Sequence, residues 1–212
     1  MKAFRTFMLA AISIVAASAF NSCNKDDDTY VYEPLTQQEK TAQINAMQGS
    51  YTGHVYYGLT NYTGMTDSLA VQWNIQASDS TLTIHNFPMK VFSQYIYDAD
   101  LKTALENDSI HSLSSNLVLF RPYGTTGALD YYSFVIAPKS TIDYTVTLPI
   151  AFGEETHDVT FNFAREYGSY YYSQGEYTNN QMLFYLILRS ISVDSGSSRT
   201  VNCILGFLGK KK

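Results

Sequence analysis

Charge and sulfur are both scarce in this chain. Charged residues make up 16% of its 212 positions, barely more than the 15% that are aromatic, and the formal balance is −5. The only run of basic residues is Lys210-Lys211-Lys212 at the end of the chain. A short solvated tail on an acidic protein does not make the positive field that phosphate backbones require, so nucleic acid is excluded as a partner. Two cysteines, Cys23 and Cys203, cannot form a disulfide framework. The four histidines, His54, His85, His111 and His157, stand apart, with no His-Glu-x-x-His and no cysteine cluster, so nothing supports a metal site. A Gly-x-Ser-x-Gly elbow and a phosphate-cradling glycine loop before a helix are also missing. Glu154, Glu155 and Asp158 are the nearest approach to the paired carboxylates of a glycosidase. A solvated hairpin tip accounts for them more simply. The expectation is a protein without cofactor and without catalysis.

What is present begins with an export signal. Lys2 and Arg5 precede an apolar run from Phe7 to Ala19, and small or polar residues lead to Cys23. The run is short for a membrane span, and no basic stop follows it. Phe20-Asn21-Ser22-Cys23 resembles the lipobox of bacterial lipoproteins, with Phe at a place where Leu is commoner. That resemblance implies cleavage before Cys23, whose thiol and new amino group then carry acyl chains. Several chains on one residue anchor a protein stably, since each buried methylene contributes about 0.8 kcal/mol. The competing reading is a secreted protein cut near Ala19. Next comes Asn24-Lys25-Asp26-Asp27-Asp28, similar to the acidic signal by which Bacteroidetes lipoproteins reach the outer face of the outer membrane. A merely solvated acidic tether is the alternative. The expected organisation is a removed signal over 1–22, an acylated Cys23 with a flexible acidic tether over 23–34, and one β-rich domain over 35–212.

Removing the signal takes 22 residues and two positive charges from a chain of 212 at −5, leaving 190 residues at −7. That length suits a single core. With Cys23 acylated, Cys203 has no partner for a disulfide. Cys203 alternates with Val201, Leu205 and Phe207 on an apolar strand face, which predicts a buried, inert thiol. The 18 tyrosines and 12 phenylalanines favour pleated, half-buried surfaces.

Thr36-Gln37-Gln38-Glu39 has the spacing of a capping box, so a helix is expected from there to about Met47, stopped by Gly49. Strands follow. Leu69, Val71, Trp73 and Ile75 alternate with polar residues through 67–77, and further strands are expected over 50–58, 81–87, 116–123, 130–137, 141–150, 158–165, 169–178, 181–193 and 199–208. A second short helix is expected within 94–108, capped by Asp98 or Asp100. Asn179-Asn180 suits a two-residue hairpin turn needing positive φ. Met182–Leu188 is apolar on both parities, so that strand should be covered on both faces. The fold class is all-β with two short helices, an antiparallel up-and-down barrel of roughly ten strands in near-sequential hairpins, with a β-sandwich as the alternative.

A helix followed by Gly49-Ser50-Tyr51-Thr52-Gly53 resembles the opening of lipocalin-like domains and of a group of Bacteroidetes lipoproteins of unknown function. Trp stands in lipocalins proper where Tyr51 stands here. The resemblance implies a closed barrel with a calyx. In each tyrosine cluster one ring should face inward, and Tyr57, Trp73, Tyr132 and Tyr171 are the candidate ligand-binding residues, with packed core as the competing role of Trp73. Asp67-Ser68-Leu69, Asp79-Ser80-Thr81 and Asp108-Ser109-Ile110 each resemble the O-glycosylation triplet of exported Bacteroides proteins, making Ser68, Ser80 and Ser109 candidate glycan carriers. The expected role is non-enzymatic binding of a small apolar or amphipathic ligand at the cell surface. The alternatives are glycan binding through outward tyrosines, or a structural partnership with envelope proteins.

Overall fold

The computed structural model describes residues 33–59, 65–107, 111–138, 145–164, 166–167 and 171–212. The signal segment, Cys23, Lys25, Asp26, Asp27, Asp28, Ser109 and the Thr141–Tyr144 stretch lie outside the described residues, and of Tyr171 only the backbone is described.

Helix α1 (Gln37–Met47) starts at the predicted capping box: the Glu39 backbone N–H bonds Thr36 Oγ1 at 3.2 Å, and the Thr36 N–H reaches Glu39 Oε2 at 2.7 Å. Strands β1 (Gly49–Leu59), β2 (Met65–Gln76) and β3 (Thr81–Phe87) run antiparallel in sequence. An unexpected one-turn helix, α2 (Lys90–Ser93), precedes the expected second helix, α3 (Ala99–Asn107). Asp98 separates them, its Oδ1 accepting the Leu101 N–H at 3.0 Å as an N-cap. Then follow β4 (His111–Phe120), β5 (Tyr132–Pro138), β6 (Thr145–Phe152), β7 (Glu155–Ala164), the two-residue β8 (Glu166–Tyr167) and β9 (Tyr171–Tyr172), β10 (Gln174–Thr178), β11 (Gln181–Val193) and β12 (Arg199–Lys211). The β10–β11 turn holds Asn179 at φ 49 and Asn180 at φ 60, the left-handed pair that a two-residue hairpin demands.

Eight strands close a ring in the order β1-β2-β3-β4-β5-β10-β11-β12, with β12 returning to β1. Closure decides for the barrel over the sandwich. The strands are not all sequential hairpins, because β6 and β7 leave the ring. Long β11 serves two partners on one edge: Gln181–Phe184 pair with β10, and Ile187–Val193 pair with β7, through a register shift at Leu188/Ser190, while β7 carries β6 outside it. The outward side chains of Leu183 and Ile187 are buried, and Ala164, Ile187 and Ile204 form a small apolar cluster separate from the main core. Both faces of β11 are therefore covered, as its uninterrupted apolar sequence requires.

The barrel interior is filled by rings. Tyr132 stacks on Tyr177 at 5.8 Å, Tyr177 meets Tyr51 edge-on at 6.4 Å, and Tyr51 stacks on Trp73 at 5.6 Å. The column continues through Phe184 and Phe207, whose centroids lie 4.4 Å apart, to Phe87, Phe92 and Phe161. Each such pair adds about 0.5–1.5 kcal/mol beyond the area it buries. Room for Trp73 comes from glycine: a Cβ on Gly209 would lie 2.4 Å from Trp73 Cη2.

Helix α1 closes one end of the column. Its last carbonyls are capped from the barrel: the Tyr51 hydroxyl donates to Met47 O, while Ala46 O accepts from the Tyr177 hydroxyl at 3.2 Å and from Lys211 Nζ at 2.8 Å. A cation at a helix C-terminus complements the partial negative charge there. At the other end of α1, the buried Arg121 guanidinium pairs with Glu39 at 2.7 Å and donates to Gly127 O, tying the helix to the β4–β5 loop.

Candidate binding site

Of the candidate residues Tyr57, Trp73, Tyr132 and Tyr171, the side chains of the first three are described. Trp73 and Tyr57 are buried and Tyr132 is half-buried, and Trp73 and Tyr132 belong to the same ring column through Tyr51 and Tyr177. Burial pushes the Tyr57 phenol above the ordinary tyrosine range. An open calyx does not separate these rings. The apolar crevice beneath α2, between Phe87, Phe92, Leu113, Val146 and Phe161, measures about 20 Å³, far below the ~300–1,000 Å³ of ligand pockets. One polar atom in the column stands out: Trp73 Nε1 is buried without a hydrogen-bond partner.

A much larger concavity lies on the outer wall instead. It holds about 680 Å³ and spans β11, β12, β1, β2 and β3, a size within the usual ~300–1,000 Å³ range of ligand clefts. Strand register builds it. Gln181 pairs with Lys210, Lys210 with Thr52, Thr52 with Gln72, and Gln72 with His85. Directly paired residues share a face, so these five side chains form one outward row across five strands, running roughly 19 Å at the ~4.8 Å spacing of adjacent strands. Beside it, Leu208, His54 and Ala70 form a second row, and Gly206, Tyr56 and Ser68 a third. The His54 and Tyr56 rings lie 6.1 Å apart at a 50° tilt. His85 Nε2 bonds Asn74 Oδ1, which fixes the imidazole at the end of the polar row. Small residues at Ala70, Gly53 and Gly209 form the floor, and the taller His54, Tyr56, His85 and Lys210 stand around it.

Chemically the groove offers amides, a hydroxyl, imidazoles, a phenol and one ammonium. It contains no carboxylate. Such a set can hydrogen-bond a hydroxyl-rich ligand and stack on its faces, but it includes no activated nucleophile and no paired acid and base. In the sequence these residues belong to unrelated features: Tyr56 to a tyrosine pair, Thr52 and Gly53 to the stretch after the helix, Lys210 to the basic tail, and the histidines to none. The pairing that unites them joins strands more than a hundred residues apart.

Other candidates are dispersed. Glu154, Glu155 and Asp158 are exposed around the β6–β7 turn. His157 Nδ1 lies 2.7 Å from Asp194 Oδ2, and that hydrogen bond, with the charge of Asp194, holds the imidazole above its usual range. The pair joins the start of β7 to the β11–β12 turn. Cys203 is fully buried, and burial pushes its thiol up to about 12, so the expected inert thiol is observed. Among the described residues no cluster of three His, Cys, Asp or Glu could hold a metal. Ser68 is exposed on β2 opposite Tyr56, whereas Ser80 is half-buried in the β2–β3 turn at φ 51.

No curated protein and no solved structure matches the chain. A protein family does match, over residues 46–193, from the last turn of α1 to the end of β11. The chain thus belongs to the DUF4840 family, a domain of unknown function.

Proposed function

We propose that this chain is a non-enzymatic cell-surface lipoprotein, anchored in the outer membrane through Cys23 and directed outward by Lys25, Asp26, Asp27 and Asp28, that binds an oligosaccharide along its outer wall. The observation that carries the ligand is the outward row Gln181–Lys210–Thr52–Gln72–His85 with the Tyr56 and His54 rings beside it. A row of roughly 19 Å fits several linked sugar units, since its amides and hydroxyl both donate and accept. The exposed His54 ring and the half-buried Tyr56 ring at its side suit the apolar faces of pyranoses.

The test is a glycan array probed with the mature domain and with Gln72→Ala and Tyr56→Ala. We expect a restricted set of saccharide hits that both substitutions weaken. No hit with the unaltered domain would overturn the proposal. For the anchor, replacing Cys23 by Ser should move the protein from the membrane to the soluble fraction.

A second reading, an apolar or amphipathic ligand inside the barrel, is favoured by ring closure and by the unpartnered Trp73 Nε1. It requires the Tyr51–Trp73–Phe184 stack to open.

A further inference from the structure

The groove differs in charge from the rest of the molecule. The chain is acidic overall, at a formal −5, yet no Asp or Glu lines the outer-wall concavity. Lys210 stands within the row, between Gln181 and Thr52, and is exposed. Its neighbour Lys211 points the other way, with its ammonium engaged at Ala46 O. The Lys212 N–H bonds Ser50 O, so the β12 register continues one residue and puts Lys212 on the same wall as Lys210. Lys210 thus supplies the groove's one ammonium, with Lys212 on the same wall beyond the lining, and no lining carboxylate neutralises it.

We infer that the saccharide taken by this wall is acidic, carrying a carboxylate or sulfate that pairs with Lys210 while its hydroxyls bond Gln72, Thr52 and Gln181. The inference rests on the oligosaccharide reading given above and narrows it to a charge class. Like-signed groups elsewhere make the choice selective: a polyanion approaching other faces of an acidic protein is repelled, and the groove is where the repulsion lifts. Two lysines are too few for a nucleic acid, whose retention needs several neutralised phosphates.

The experiment pairs acidic and neutral oligosaccharides on one array: uronate- or sulfate-bearing chains, and chains of matched length without charge. The probes are the mature domain and its Lys210→Gln and Lys210→Glu variants, with melting temperatures checked to show that each variant is folded. Hits should fall among the acidic members. Lys210→Gln should weaken them about tenfold, the size of one charge-assisted contact, and Lys210→Glu further. Raising salt from about 0.05 to 0.3 M should weaken binding to the unaltered domain in the same direction. Neutral members bound as well as acidic ones, with Lys210→Glu without effect, would overturn the charge assignment and leave the saccharide reading standing. An array with no hits at all would overturn both.

Discussion

Single residues set how tightly the barrel wall can be drawn. Gly53 and Gly209 are paired across β1 and β12, and both would clash if they carried a side chain: a Cβ on Gly53 would lie 2.1 Å from Leu208 O, and one on Gly209 2.6 Å from Thr52 O and 2.4 Å from Trp73 Cη2. Neither position has a φ in the left-handed region, so the requirement is space and not backbone freedom. The missing side chain at Gly209 lets the indole of Trp73 lie against the wall. Gly209→Ala must therefore displace Trp73 or push β12 from β1. We expect it to destabilise the domain by about 1–3 kcal/mol, the usual cost of overpacking. A chemical-denaturation midpoint unchanged from that of the parent would contradict this account. The sequence marks these glycines only as interruptions of a strand pattern, because the neighbour each would strike comes from a distant segment.

At the scale of elements, local chemistry was readable and long-range pairing was not. The capping box, the strict alternation in β2, the Asn179-Asn180 turn and the full span of β11 are all visible in the sequence, since each depends on residues within one turn or one strand. Strand starts were missed where polar residues open a strand: β4 begins at His111, ahead of the apolar alternation that reveals its centre, and β7 begins at the exposed Glu155. The departure of β6 and β7 from the ring was not readable, because β11 gives no local sign that one edge serves two partners. The outer-wall site was invisible for the same reason. The excursion has its own fastening. Asp194 accepts from the Asp158 N–H at 2.9 Å and returns its own N–H to Asp158 O at 2.9 Å, while its carboxylate holds His157, which stacks on Phe152 at 4.1 Å. The hydrogen bond to Asp194, then its charge and that of Glu155, raise the His157 pKa above the ordinary 6.5, and the hydrogen bond to His157 lowers that of Asp194 below 3.8. The histidine's contribution to stability is present in full below its unfolded value and is lost as pH rises through the raised folded value. That of the aspartate is present above its unfolded value and is lost as pH falls through the lowered one. The fastening is thus strongest between 3.8 and 6.5. Amide exchange in β7 should be slower at a pH inside that window than above it, with β1 as the internal control, and Asp194→Asn should remove the difference. Equal exchange in β7 on both sides of His157's titration would refute the latch.

For the molecule as a whole, the abundance of Tyr and Phe has a consequence beyond favouring strands. An eight-strand ring is just wide enough for side chains to fill or for one small ligand to occupy. Here the rings from Tyr132 to Phe161 fill it, and α1 caps one end through Ala46 and Met47. With the interior occupied by the protein's own core, the polar groups that strand register gathers lie on the outer wall, in the groove. The two sites make opposite demands on the single tryptophan, which is buried and stacked within the column. Trp73 emission should be blue-shifted and resist iodide quenching in the native domain, with a red shift on unfolding. Titration with oleate, an apolar chain of the kind a calyx would admit, should leave that emission unchanged, because entry would require Tyr51 and Phe184 to separate from the indole and lose stacking worth about 0.5–1.5 kcal/mol per pair. A saturable change with oleate would show that the column opens, and the ligand site would then lie inside the barrel and not on its wall.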